Sequence, residues 1–212
     1  MKKTGLLLML LATIVTFAFT FEKGEIKTIE VGANMPSANA KMLATSGKSM
    51  TLTDLKKENG TLIIFSCNTC PFVVGGKDNK GWEGRYNELY NIAQENKIGM
   101  ALINSNEARR GKGESMDDMI KRAKKAGLKA SYLLDEGSVI ANAFGARTTP
   151  HVFLFDSSNK LAYAGAIDDN VSDPKMVKEH WLKNAISKIA KGEKINPAQT
   201  RQKGCSIKRV AN

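Results

Sequence analysis

The chain has 212 residues, 42% hydrophobic and 25% charged, enough apolar material for one substantial core. No segment repeats at a solenoid period and none is long and low in complexity, so a repeat array or an extended disordered chain is excluded. The formal net charge is +11, but the basic residues are spread out and aromatic residues do not interleave with them, which excludes a single-strand nucleic-acid surface built on stacking platforms.

The first twenty residues stand apart. A basic start, "MKK", precedes the apolar run "GLLLMLLATIVTFAF", the order of charge and hydrophobicity found in a secretory signal. No small-x-small triplet closes the run cleanly, so residues 1–20 are read as a signal peptide or an uncleaved N-terminal anchor. Membrane attachment would then run through residues 5–21. Either reading places the rest of the chain in the periplasm or otherwise outside the cytoplasm, where disulfides persist. Residues 21–191 are expected to form one domain and 192–212 a polar tail.

"EIKTIEVG" alternates as a strand would, and a hairpin with its turn at Ser46-Gly47 is expected next. "TLIIF" (61–65) is a continuous β-branched and aromatic run, the mark of a strand buried on both faces. It leads into "SCNTCPF". The glycines at 75, 76 and 81 keep any helix begun at Cys70 short. Trp82, Tyr86, Leu89, Tyr90 and Ala93 then share one helical face and read as core.

"IGMALI" (98–103) is a second buried strand. A helix follows over 115–127, opened by Ser115 and Asp118 and stopped at Gly127. Met116, Met119, Ile120 and Ala123 are its apolar positions, so the basic run "KRAKKAGLK" (121–129) is a solvated helix face. "SYLL" is a short strand, "GSVIANAFG" a short helix, and "HVFLF" with "LAYAG" a hairpin. Asp173 and Pro174 open a last helix whose apolar face is Val177, Trp181, Leu182, Ala185 and Ile189. Strands alternating with helices imply an α/β fold: a central, mostly parallel sheet covered on both faces, with the terminal hairpin adding antiparallel strands.

Cys67 and Cys70 sit between a buried strand and a helix start. Unpaired N–H groups there favour a thiolate, so Cys67 is expected to be exposed, of depressed pKa and attacking, with Cys70 deeper and resolving. A metal reading asks for more ligands. A second CxxC is absent, and Cys67 and Cys70 would need His151, or failing that Cys205 or His180, to hold a soft ion such as Cu(I). Cys205 in "QKGCSIKR" is a candidate third redox thiol, since Gly204 permits a turn that folds the tail back.

"CNTCP", followed by "GARTTPHVFLFDSSNKLAYAGAIDD" and preceded by "VGANMPSANAKMLATSGKSMTLTDLKKENGTLIIF", resembles the thioredoxin-like superfamily. The resemblance covers roughly residues 30–190. It is to the redoxin branch that includes alkyl-hydroperoxide-reductase/thiol-specific-antioxidant and TlpA/ResA-type proteins. It implies a thioredoxin-like fold with an N-terminal hairpin extension and a thiol–disulfide oxidoreductase acting on protein thiols and disulfides with a separate thiol electron donor. No cofactor is implied. It also implies a cis Thr149–Pro150 bond facing the cysteines, with Thr149 and Pro150 binding substrate through the Thr149 backbone. Ser66 replaces the usual Trp, and Glu83 and Asp135 are the candidates for a buried proton-moving acid. A peroxidase using the same cysteines is the related alternative, although Cys67 stands where the peroxidatic motif places Thr.

Overall fold

In the computed structural model, residues 26–210 are described. The signal or anchor expected at 1–20 lies outside them. Among the described residues no helix is long and apolar enough to cross a membrane.

The elements in order are β1 (Met42–Ala44), β2 (Ser49–Met50), α1 (Leu52–Leu55), β3 (Gly60–Ser66), α2 (Pro71–Val74), α3 (Tyr86–Glu95), β4 (Ile98–Asn104), α4 (Met116–Ala126), β5 (Ser131–Leu134), α5 (Val139–Phe144), β6 (Thr148–Thr149), β7 (His151–Phe155), β8 (Leu161–Gly165), α6 (Trp181–Ala190) and β9 (Cys205–Ser206). A seven-stranded sheet runs β2-β1-β5-β4-β3-β7-β8. β3, β4 and β5 are parallel, whereas β7 is antiparallel to β3 and β8 to β7. β1 closes the other side, antiparallel to β5. Helices cover both faces of a mixed sheet, giving the expected α/β, thioredoxin-like fold, but only the β3–β4 and β4–β5 pairs are parallel, so the sheet is less parallel than the strand–helix alternation implied.

β3 and β4 are buried along their whole length because they lie mid-sheet. Their side chains divide by parity. Leu62 and Ile64 pack with Met100, Leu102, Val152 and Leu154 under Trp82, Tyr86, Leu89 and the Leu182–Ile186 face of α6. Ile63 and Phe65 pack on the opposite face with Leu52, Ile103, Phe144, Phe153 and Phe155. There Phe65, Phe144 and Phe153 meet edge to face at centroid distances of 5.2–5.6 Å, a geometry favoured by the ring quadrupoles.

The capping box at Ser115 and Asp118 is present, and Gly127 ends α4 in the left-handed conformation. Three element-level expectations are corrected. The alternating stretch at 25–32 forms no strand where it is described. Its backbone is used one bond at a time, Ile29 N–H to Phe144 O (3.1 Å) and Gly32 N–H to Leu161 O (2.7 Å), so it straps α5 to β8. The last helix begins at Trp181, not after Asp173. Asp173 caps only a 3-10 turn, Pro174–Met176, and Val177 then turns extended (φ −67°, ψ 126°), leaving Ile186 rather than Val177 on the buried face. Ile120 of α4 is exposed while Met119 is fully buried, so the apolar stripe of that helix is narrower than its sequence suggests.

Candidate active site

β3 ends at Ser66 and delivers Cys67 directly off the sheet. Cys70 is the residue before Pro71, which opens the single turn of α2. Proline fits there because its missing N–H is not needed in a first turn. Cys67 and Cys70 are 2% and 5% exposed, both free thiols, and both belong to the Leu62–Trp82 side of the core. The expected exposure of Cys67 is therefore not found: the cysteines lie beneath other chain.

The loop between them is held by a residue that sequence reasoning missed. Glu114, wholly buried, accepts from the Asn68 N–H (2.9 Å), the Thr69 N–H (3.1 Å), the Thr69 hydroxyl (2.6 Å) and Asn104 Nδ2 (2.6 Å). Asn104 also donates to the Tyr132 hydroxyl (3.1 Å), which donates to Asn68 Oδ1 (3.0 Å). Glu114 lies in a polar loop with no periodic pattern, and only "GES" just ahead of the capped helix could have marked it. The two acids named from sequence have other work. Glu83 pairs with Arg122 (2.7 Å to Nε). Asp135 caps α5 through the Ile140 and Ala141 N–H groups (2.9 Å each), and burial raises its pKa.

The Thr149–Pro150 bond is cis and faces the thiols. The Thr149 hydroxyl donates to Cys67 Sγ (3.2 Å), and the Cys70 thiol donates to the Thr149 carbonyl (3.3 Å). One residue thus touches both sulfurs. Its strand edge is not open. β9 pairs antiparallel with β6, Cys205 opposite Thr149 and Ser206 opposite Thr148. The tail expected to fold back does so, and Cys205 packs against the cluster that holds Cys67 and Cys70.

Charge is unequally placed. Burial pushes the Cys67 thiol well up, reinforced by its hydrogen bond to Cys70 and by the charges of Cys70 and Glu114. Cys70 is pulled down to about 5, chiefly because the Cys67 thiol donates to it; burial opposes, and the Cys205 thiol and backbone N–H add to the pull. Cys205, half-buried, is pushed up to about 11 by burial and by its own donation to Cys70. The two sulfurs lose their protons as one pair, with the pull downward at Cys70 and upward at Cys67. The donors at the start of α2 still meet Cys67: the Cys70 N–H donates to Cys67 Sγ (3.3 Å), beside the Thr149 hydroxyl (3.2 Å), and burial is what opposes its ionisation.

His151 does not join the cysteines. It is the first residue of β7, where parity sends it to the Phe153 face (centroids 4.5 Å apart), and its Nδ1 accepts the Arg147 N–H (3.2 Å). Burial lowers its pKa to about 3, keeping it neutral. Among the described residues no group of three or more His, Cys, Asp and Glu side chains is disposed to hold a metal ion. The copper site built on Cys67, Cys70 and His151 is accordingly not formed.

The chain is similar to an uncharacterized conserved protein from Geobacillus kaustophilus, at 29% identity and TM-score 0.77 over 86% of this chain and 94% of that one. A hypothetical protein from Sinorhizobium meliloti is similar at 27% identity and TM-score 0.77, over 88% and 98% of the two chains. A protein provisionally assigned as a thiol:disulfide interchange protein, DsbE, from Chlorobium tepidum shares the fold at 14% identity and TM-score 0.54, over 78% and 98%. No curated protein matches the sequence. The Redoxin family description matches residues 30–179, most of the chain, with the cysteine loop and the Thr149–Pro150 corner inside it. The chain belongs to the redoxin family and is an oxidoreductase of thioredoxin-like fold.

Proposed function

We propose that this chain is an extracytoplasmic thiol–disulfide oxidoreductase whose working couple is Cys67 and Cys70, and that it donates its disulfide to protein thiols. The observation that carries the reading is Thr149 bridging both sulfurs from a cis-proline corner, 3.2 Å from one and 3.3 Å from the other. The apolar leader at the N-terminus supports an oxidising compartment.

In the exchange, an incoming thiolate attacks one sulfur of the Cys67–Cys70 bond, and the other leaves as a thiolate. A second substrate thiol then resolves the mixed disulfide. Two substrate thiols become one disulfide, and the chain gains two electrons and two protons, later passed to a separate thiol–disulfide partner. Direction follows from charge. A thiolate at the pair is stabilised by the Cys70 N–H (3.3 Å) and the Thr149 hydroxyl (3.2 Å), which both donate to Cys67 Sγ, and stabilising it stabilises the reduced pair and moves the couple toward the oxidising end. Equilibration with glutathione tests this. The expected potential is less negative than about −230 mV, the reducing edge of the glutaredoxin range. A value near that of thioredoxin, about −270 mV, would end the donor reading.

A further inference from the structure

We infer that Cys205 is a third redox thiol of this site, taking the disulfide from the buried pair as a Cys70–Cys205 bond and presenting it to substrate at the surface. The inference rests on the function proposed for Cys67 and Cys70.

Three observations converge on it. The first is access. Cys67 and Cys70 are covered, whereas Cys205 is half-buried and is the one sulfur of the three that solvent meets substantially. The second is register. β9 sets Cys205 directly opposite Thr149, the residue that touches both buried sulfurs, and Cys205 packs against the apolar cluster that contains Cys67 and Cys70. The third is that the chain is built to hold this approach. A Cβ on Gly204 would lie 2.3 Å from the Thr149 carbonyl oxygen, and one on Gly165 (φ +145°) 2.4 Å from the Thr200 carbonyl oxygen. Both glycines let the tail lie against the sheet edge. Beyond Cys205 the tail is fastened by Ile207 N–H to Arg147 O (3.0 Å), Lys208 N–H to Asn106 Oδ1 (2.8 Å) and Arg209 Nε to Asn142 Oδ1 (2.6 Å). A cleft of about 470 Å³ opens beside the strap, lined by Phe72, Trp82, Trp181 and Lys203, and it ends at Gly204.

The steps balance. In the oxidised chain the Cys205 thiolate attacks Cys70 Sγ. The Cys70–Cys205 bond forms, the Cys67–Cys70 bond breaks, and Cys67 leaves and takes up the proton that Cys205 lost. A substrate thiolate entering from the cleft then attacks Cys205 Sγ, and Cys70 departs as a thiolate. A second substrate thiol releases Cys205 and completes the substrate's disulfide. Cys70 suits the middle position because its N–H meets Cys67 Sγ (3.3 Å) and its thiol meets the Thr149 carbonyl (3.3 Å), across the ladder from Cys205. Cys205 becomes easier to ionise at the right moment. Its proton is held partly by donation to Cys70, and that donation ends once Cys70 is in a disulfide, leaving Lys208 to favour the thiolate.

The test uses the full chain, oxidised glutathione as oxidant and reduced glutathione as thiol probe. Cys67→Ser should form an intramolecular Cys70–Cys205 disulfide, mapped by peptide mass. Cys205→Ser should still form Cys67–Cys70, but reduced glutathione should open that bond at least tenfold more slowly than in the wild type. Adding Gly204→Ala to Cys67→Ser pushes the strap off Thr149 with Cys70 and Cys205 intact, and the Cys70–Cys205 yield should fall at least tenfold. Absence of the Cys70–Cys205 bridge in Cys67→Ser, a wild-type opening rate in Cys205→Ser, or a yield indifferent to Gly204→Ala would each overturn the inference. Failure of the underlying function gives a different result: the Cys67–Cys70 bond would not form even in Cys205→Ser.

Discussion

Two segments reach Cys70 from opposite sides, and they are held by different physics. The 67–70 loop is gripped from below by a buried carboxylate and a chain of amide and phenol groups, each satisfied only if all stay in place. The strap at 204–207 lies on a two-residue ladder near the surface and carries a half-buried cysteine. Opening the loop would strand buried donors, at about 1–3 kcal/mol each. Lifting the strap hands its groups back to water. One arm of the site is fixed and the other releasable, which suits a sulfur that must exchange with something outside.

The sharpest break in that comparison is chemical. Cys70→Ser should abolish disulfide exchange, a loss of at least about 10³-fold, because both arms converge on that sulfur. Cys67→Ser should lose the Cys67–Cys70 bond but keep a Cys70–Cys205 pair that a substrate dithiol still reduces. Stopped-flow reduction of the oxidised chain by a peptide dithiol reads both, and turnover surviving in Cys70→Ser would remove Cys70 from the centre.

Stability against pH reads the coupled titration of the buried pair. Cys70 has its folded pKa lowered from 9.0 to about 5. Between those values the unfolded chain binds the extra proton, so the reduced protein gains stability as pH rises from about 5 toward 9, with a slope approaching ~1.4 kcal/mol per pH unit, and loses it as pH falls through about 5. Cys67 is shifted the other way, so its contribution is full below about 9 and is lost above it. The oxidised protein, with neither thiol free, should lack the rise. Urea midpoints of the two forms across pH check this, and parallel curves would refute it.

Glu114→Ala should cost about 3–4 kcal/mol, since it strands the Asn68 and Thr69 N–H groups and the Asn104 amide in the interior. Glu114→Gln keeps one acceptor and should cost about half as much. Chemical denaturation measures both, and equal, small losses would mean that the loop is not held from below.

The fixed arm was half legible in the sequence. "TLIIF" running into "CNTCP" gives strand, turn and thiols because a fully buried strand must be apolar throughout and its end is where a helix can start. The Thr149–Pro150 corner was legible through resemblance. Glu114 was not, because an acid in a polar loop looks solvated until the fold closes over it. His151 looked like a neighbour of the cysteines since Pro150 is. In a strand, however, one residue of offset selects the face, and the parity of β7 sends His151 to Phe153 instead. Gly204 and Cys205 signalled that the tail turns back. Their partner, the edge at Thr148–Thr149, is more than fifty residues away, and a two-residue ladder leaves no periodic trace.

The smallest effect is the most direct measure of how releasable the strap is. Ile63 and Ile207 lie in the same apolar cluster, 0% and 5% exposed. By burial alone, truncating either to alanine should cost about 2–5 kcal/mol. Ile63 sits in mid-sheet, and nothing short of global unfolding removes it from the core, so Ile63→Ala should show that full cost. Ile207 can leave with its strap. Once its docking is weaker than the cavity penalty, the strap detaches and the rest of the domain stays folded, which caps the global loss for Ile207→Ala at about 1 kcal/mol. The energy reappears locally. Hydrogen exchange at Ile207 and Lys208, and alkylation of Cys205, should accelerate about tenfold while the amides of β3 and β4 keep wild-type protection. If Ile207→Ala instead lowers global stability as much as Ile63→Ala, the strap is part of the cooperative core, and the contrast between a fixed and a releasable arm is lost.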